Sequence, residues 1–277
     1  TDGENFNIVH YFSDSDGSSP FGELIESNGK LWGMTYSGGI HNLGVIFNIS
    51  LNTYDFKVVY NFDGVNGSHP RNGFLLLNNT FWGTTSRGGI HNLGVIFNLN
   101  TDGTGLKKLY DFDKNGGGEP ESSLTFSNNK LWGLTARGGK NNEGSVFTFN
   151  PTTKKYKKIH NLTYPALGDL IESDNKLWGM EALRGKNNCG TIFSIDNNSL
   201  RYKKVHDFDC SNGRFPEGNL IESNNVLWGL TRFGGTSNMG VIFSISKDGN
   251  TFTKILDLNQ TTGGIPYSTL IEVPNYK

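Results

Sequence analysis

Apolar residues along the chain fall in short runs, each closed off by asparagine- or glycine-rich stretches. Four kinds of run recur in a fixed order. The first is ELIES (23–27), FLLL (74–77), SLTF (123–126), DLIES (169–173), NLIES (219–223) and TLIEV (269–273). The second carries tryptophan, as in KLWGMT at 30–35. The third is GVIFNI (44–49), GVIFNL (94–99), GSVFTF (144–149), GTIFSI (190–195) and GVIFSI (240–245). The fourth is aromatic and lysine-rich: FKVVYNF (56–62), LKKLYDF (106–112), YKKIHNL (156–162), YKKVHDF (202–208) and TFTKILDL (251–258). All are too short for helices and rich in residues that suit a pleated, half-buried surface, so each predicts a strand. The lysines at 107–108, 157–158 and 203–204 mark the fourth strand as an outer edge, where charge discourages edge-to-edge pairing.

Trp32, Trp82, Trp132, Trp178 and Trp228 are the only tryptophans, and each opens the same glycine-rich loop. A repeat of about 50 residues, each copy a four-stranded antiparallel meander, predicts an all-β protein of the β-propeller type. Aromatic side chains then fill the gaps between neighbouring sheets. Complete repeats span about 22–62, 72–112, 122–162, 168–208 and 218–258, in a single domain covering 1–277. A lone outer strand at 6–12 and a lone inner strand at 269–273 remain. Paired, they would make a sixth blade, the favoured arrangement; the alternative is five blades with the extra strands packed outside.

Composition adds limits. With 37 glycines and 35% hydrophobic residues in 277, the chain suits short strands and tight turns better than long helices. A formal net charge of -1 gives no reason to expect a nucleic-acid partner, and no apolar stretch is long enough to span a membrane as a helix. The opening TDGENFN lacks the regions of a signal peptide, which fits either a processed N-terminus or an intracellular protein.

Cys189 and Cys210 are the two cysteines. In a meander their loops share one end of the sheet, so a disulfide in an oxidising compartment is expected, with two separate free thiols as the alternative. Sequons occur at Asn48, Asn66, Asn78, Asn161, Asn197 and Asn259, about the number chance gives in so asparagine-rich a chain. Asn66, Asn78, Asn197 and Asn259 lie in predicted turns and are the candidate glycosylation sites.

The stretch TDGTGLKKLYDFDKNGGGEP (101–120) with LWGLTARGGKNNEGSVFTFN (131–150) resembles the GloVer tandem repeat of bacterial surface and secreted proteins. The shared hallmark is an aromatic-Gly pair, a threonine, a glycine-rich loop and G-x-[VI]-F, present here five times. The strand order and the double glycines at 38–39, 88–89, 138–139 and 234–235 are also similar to kelch propellers, although kelch places its tryptophan in the outer strand. The fourth copy departs, reading EALRGKNNCG with Arg184 in place of the first glycine. The resemblance implies the fold and a secreted or cell-surface setting, and no particular chemistry.

Motifs for nucleophilic, metallopeptidase or nucleotide chemistry are missing from the sequence. His10, His160 and His206 share an outer-strand slot with Tyr60, Tyr110 and Leu256, which marks a packing position. Glu26, Glu172, Glu222 and Glu272 recur at one inner-strand position, and converging carboxylates there could act on a glycosidic bond. Leu76 and Phe126 fill the same slot elsewhere, which favours a tolerant channel edge. Asp14–Gly17 and Asp113–Gly116 faintly resemble calcium loops but lack the ligand set of a strong site; Asx-capped turns are the simpler reading, and no cofactor is expected.

The loops after the second and fourth strands should emerge together. They collect Tyr36, Ser37, His41, Arg87, His91, Arg137, Arg184, Arg232 and Phe233, with His69, Arg71 and Arg214. Planar donors beside aromatic rings suit sugars and protein hot spots alike; a merely hydrated loop face is the plain alternative. The ligand-binding candidates are Tyr36, His41, Arg87, His91, Arg137, Arg232 and Phe233. The fourth connecting loop, NLTYPALG, is shorter than its siblings and should leave a groove. The expectation is a non-catalytic extracellular binding or structural module for glycan or protein, with self-assembly through the terminal strands as a further option. The alternative is a glycan-active hydrolase or lyase using the glutamates.

Overall fold

The computed structural model describes residues 6–165 and 168–272. It is all-β among those residues, with two compact units, Thr1–Phe112 and Asp113–Lys277. The first unit holds two sheets. One is β1 (Ile25–Ser27), β2 (Lys30–Thr35), β3 (Val45–Ser50) and β4 (Phe56–Asn61); the other is β5 (Leu75–Leu77), β6 (Thr80–Thr85), β7 (Val95–Asn100) and β8 (Lys107–Asp111). The second unit holds three. Its first sheet is β10 (Thr125–Ser127), β11 (Lys130–Arg137), β12 (Ser145–Phe149) and β13 (Tyr156–Asn161), with β9 (Gly118–Pro120) added along β11. Next come β14 (Ile171–Ser173), β15 (Lys176–Glu181), β16 (Thr191–Asp196) and β17 (Tyr202–Asp207). The last is β18 (Ile221–Ser223), β19 (Val226–Thr231), β20 (Val241–Ser246) and β21 (Phe252–Asp257). Each sheet is an antiparallel meander in chain order, as the run order predicts.

The recurring Trp-Gly pair has a steric cause. A Cβ on Gly33, Gly83, Gly133, Gly179 or Gly229 would lie 2.5–2.6 Å from the ring of Phe47, Phe97, Phe147, Phe193 or Phe243 on the adjacent strand. That phenylalanine lies flat across the glycine, so the two positions are one feature of the pattern. Just beside it the register slips, between Ile46 and Phe47 and at the equivalent point of every sheet. A bulge there bends the outer strand.

Cores lie between sheets. In the first unit Trp32, Met34 and Ile46 pack against Phe81, Val95 and Phe97 of the second sheet, with the Trp32 and Phe81 rings 5.0 Å apart. In the second unit Trp132 meets Leu177, Phe193 and Ile195, and Trp178 meets Leu227, Phe243 and Ile245. Each fully buried aromatic of this kind contributes about 2–3 kcal/mol. The outer-strand histidines join the same packing. His160 stacks on Tyr202 at 3.7 Å and His206 on Phe252 at 3.9 Å, each reaching the next sheet. Burial pushes both imidazoles below their ordinary pKa.

The terminal strands differ from expectation. Residues 6–12 and 269–272 carry no strand, and Val273 lies outside the described residues. Neither segment has a partner strand to supply its ladder. Even so, His10 stacks on Phe56 at 3.7 Å, as the other outer-strand histidines do. Residue 269 also keeps the inner-strand role: the amides of Ser123, Asp169 and Asn219 donate in turn to the side chains of Asp169, Asn219 and Thr269 at 2.6, 2.6 and 2.9 Å.

Candidate functional site

Two sets of loops meet at one end of the sheets. The long loop after each second strand is closed by asparagine: Oδ1 of Asn42, Asn92, Asn142, Asn188 and Asn238 accepts the amide of the residue four positions earlier, at 2.9–3.1 Å. It is latched again from the end of the outer strand. Oδ1 of Asn61, Asp111, Asn161, Asp207 and Asp257 accepts the amides of Ile40, Ile90, Lys140, Lys186 and Thr236 at 2.8–3.1 Å. The loop that leads to the next inner strand bridges onto it, through Ser18 with Ser37, Ser68 with Arg87 and Arg214 with Phe233. In the third sheet this contact extends into β9.

Cysteine strengthens one such junction. Gly64 packs near Leu43 in the first unit, with Cβ space 3.5 Å from the leucine methyl. At the same two positions in the second unit Cys210 is bonded to Cys189, Cα atoms 5.4 Å apart.

On this frame the structure gathers some of the expected ligand residues and scatters others. In the first unit the Tyr36 ring lies 4.8 Å from His69 and 5.8 Å from Phe21, and the Arg71 guanidinium is 5.3 Å from its centre. Burial, then the nearby Arg87, pushes the His69 imidazole below its usual pKa. In the second unit Arg232 stands 4.1 Å from the Tyr267 ring centre and 4.9 Å from that of Phe233, and pairs with Glu217 at 3.3 Å. Phe215 sits 5.8 Å from Phe233, with Arg214 over it at 4.9 Å. His41 and His91 top their own loops, exposed. Arg137 is paired with Glu119 at 3.0 Å, and Arg184 with Glu143 at 2.6 Å.

Phe21, Glu217 and Tyr267 are members the sequence reading missed. Each directly follows a matched proline (Pro20, Pro216, Pro266), as Arg71 follows Pro70, so the post-proline slot was the available signal.

The glutamates stand at the other end of the sheets, exposed, each in its own local contact. Glu26 and Glu172 accept the amides of Gly29 and Asn175 at 3.0 Å. Glu222 pairs with Lys247 at 2.5 Å, which holds its carboxyl below the usual range, and Glu272 accepts from the Ser223 hydroxyl at 2.9 Å. Asp16 and Asp113 cap turn amides, as Asx turns do: Asp113 Oδ1 accepts those of Asn115 and Gly116 at 2.7 Å. Among the candidate glycosylation sites Asn78 is exposed, while Asn66 and Asn259 are half-buried. Asn197, expected in an open turn, is instead 2% exposed, with its amide bound to Ser127 of the neighbouring sheet. No room remains there for a glycan on the folded chain.

The short fourth loop does leave a groove, of about 480 Å³, lined by His160, Glu181, Arg184, Tyr202 and Lys204. Glu181 replaces the threonine of the other copies and is 2% exposed. Its carboxylate accepts from the Thr163 amide at 2.7 Å, the Tyr164 amide at 3.2 Å and the Thr191 hydroxyl at 3.2 Å. Burial, then this carboxylate, raises the Tyr202 phenol well above its usual pKa.

A family model, the Gloeobacter/Verrucomicrobia repeat, matches residues 1–166 and again 163–276. The chain belongs to this family. No curated protein matches it in sequence. Two solved structures are similar in fold. TolB from Acinetobacter baumannii is 16% identical over 81% of this chain, with a TM-score of 0.52. The extracellular domain of a putative one-component system from B. thetaiotaomicron is 14% identical over 94%, with a TM-score of 0.64. This repeat chain spans 50% of the first and 31% of the second. At such identities the likeness concerns the fold, a β-propeller-like arrangement of four-stranded sheets. Among the described residues no helix is long and apolar enough to cross a membrane.

Proposed function

We propose that this repeat chain is a non-catalytic binding module of the cell exterior that holds glycan or protein ligands on its loop face. The observation that carries the reading is the Arg232 cluster. A guanidinium fixed by Glu217 stacks on Tyr267, which is 67% exposed, so a planar donor and an open aromatic face stand ready-made. Such a pairing offers a large contact at low ordering cost. The Tyr36 and Arg71 pair repeats the chemistry in the first unit, so weak contacts could add by avidity. An extracellular setting agrees with the disulfide and with the extracellular domain whose fold is similar.

We further infer that the sheets are blades of one closed propeller and that residues 6–12 and 269–273 contribute to a sixth. The stacking of His10 and the amide ladder ending at Thr269 support this. Surplus apolar groups there, Phe6 at 83% and Ile271 at 82% exposed, also suit pairing with a second copy.

Glycan-array and surface-binding measurements should show saturable binding by the intact chain. A double change of Arg232→Ala and Tyr267→Ala should weaken it at least about tenfold, while Glu172→Gln leaves it unchanged. Turnover of a bound glycan that Glu172→Gln and Glu222→Gln abolish would overturn this reading in favour of a hydrolase or lyase.

A further inference from the structure

At the hairpin end of the sheets, away from the loop face, a cleft of about 490 Å³ opens between β16–β17 and the β20–β21 hairpin. That volume falls in the range of small-molecule sites. The equivalent groove one sheet earlier is plugged. Leu200, at the tip of the β16–β17 hairpin, packs into the core around Trp132. Its counterpart on the β20–β21 hairpin is Asn250, which is exposed and turns back to donate to Asp248 Oδ2 at 3.0 Å. One change of residue type keeps the cleft open.

Its floor is Trp178, 1% exposed, whose indole N–H is buried without an acceptor. Trp32, Trp132 and Trp228 all donate the same N–H to the carbonyls of Ser27, Ser127 and Ser223 at 3.3 Å. A buried donor left unpaired is costly, and an acceptor atom on a ligand would relieve that cost. Trp178, Ser194 and Lys203 form one cross-strand row, so their side chains share the face that lines the cleft.

Acceptors in the walls are already in use. Asp196 Oδ1 takes the Ser199 amide at 2.7 Å and its hydroxyl at 2.8 Å, and Asp248 Oδ1 takes the Asn250 amide at 2.9 Å. Donors are in surplus. Arg201 and Lys203 are exposed on the wall, and Lys176 reaches to 5.7 Å from the Trp178 ring. The cleft therefore asks for a ligand rich in acceptors and negatively charged. It is also too large for a simple anion, and Ser194 and Ser199 line it with hydroxyls.

We propose that this cleft binds an acidic monosaccharide unit, its carboxylate on Arg201 and Lys203 and an oxygen accepting the Trp178 N–H. The site is separate from the loop face and stands or falls independently of it.

Calorimetric titration of the intact chain should show D-galacturonate binding with a dissociation constant on the order of 1 mM. Galactose, with the ring but no charge, and acetate, with the charge but no ring, should each bind at least tenfold more weakly. Asn250→Leu should close the cleft as Leu200 closes its neighbour, abolishing binding without lowering the melting temperature. Arg201→Ala should weaken binding at least tenfold, and the Arg232→Ala, Tyr267→Ala double variant should leave it unchanged. The proposal is overturned if galacturonate does not bind saturably, if galactose or acetate binds as well, or if Asn250→Leu binds like the parent.

Discussion

The fourth and fifth sheets share one strand plan, yet they solve the same junction in opposite ways. In the fifth, backbone fills the space beneath the loop face. Gly213 lies so close to Thr231 that a Cβ would fall 2.7 Å from its methyl, and Gly234 lies so close to Gly213 that its own would fall 2.7 Å from the Gly213 carbonyl carbon. In the fourth, Pro165 follows Leu162 by three residues where Pro216 follows Phe208 by eight. That backbone is gone. Glu181 extends into the space in its place, and with no close neighbour left, the glycine position can hold Arg184 at φ 76°. Three apparently separate departures of the fourth repeat thus have one physical cause, the shortened loop.

The largest test exchanges the two solutions at their centre. Glu181→Ala would strand the Thr163 and Tyr164 amides and the Thr191 hydroxyl, costing about 3–4 kcal/mol. Thr231→Ala removes a single hydroxyl that donates to Phe233 O at 2.8 Å and accepts the Val241 amide, costing about 1 kcal/mol. Urea denaturation of both variants measures the difference; equal losses would mean that Glu181 is not standing in for the loop.

Next is the covalent tie between the two sheets. With 21 residues between Cys189 and Cys210, loop-closure entropy puts the loss on removing the disulfide at about 3 kcal/mol. Replacing both cysteines by Leu and Gly, the pair found at 43 and 64, should recover part of it as ordinary packing. A melting temperature no better than that of the double serine variant would refute the equivalence of the two junctions.

A smaller effect tests the glycine slot. Gly234→Ala must push its Cβ against the Cys210 carbonyl oxygen, 2.5 Å away at φ 86°, and should cost about 2 kcal/mol. Arg184→Gly gives up only an exposed ion pair with Glu143 while relieving a left-handed arginine, so its net effect should stay within about 0.5 kcal/mol. Parallel thermal melts decide; a cost for Arg184→Gly as large as that for Gly234→Ala would contradict the account.

How much of this the sequence revealed depended on periodicity. Strands within a repeat were legible because Trp, Gly and Phe recur at fixed offsets, and the Trp-Gly pair follows from the ring of the next strand. The groove in the fourth repeat was legible as a short loop. Its filling by Glu181 was not, because a threonine-to-glutamate change in one copy has no periodic signal. The Arg232 cluster was half visible: Arg232 and Phe233 stand in the named loop, but Tyr267 comes from the post-proline slot of the next connection, and only the fold joins the two. The terminal segments misled for a related reason. Residues 6–12 have the pattern of an outer strand, but a strand also needs a partner ladder, which pattern alone cannot supply.

The smallest effect separates loops latched by aspartate from loops latched by asparagine. In the fifth sheet Asp257 accepts the Thr236 amide at 3.1 Å, and the Lys254 ammonium at 2.9 Å holds its carboxyl below the usual carboxylate range. In the third sheet Asn161 makes the same latch to Lys140 at 2.9 Å and cannot titrate. Because the folded pKa of Asp257 is depressed, its contribution is fully present above the unfolded value, near 4, and is lost as pH falls through the folded one. The carboxylate is partly exposed, so the loss should stay well below 1 kcal/mol. Amide exchange followed by NMR, corrected for intrinsic pH dependence, should show Thr236 losing protection between pH 5 and about pH 3 while Lys140 does not. Asp257→Asn should make the two loops behave alike; if both loosen equally in the parent chain, the latch at Thr236 does not depend on charge.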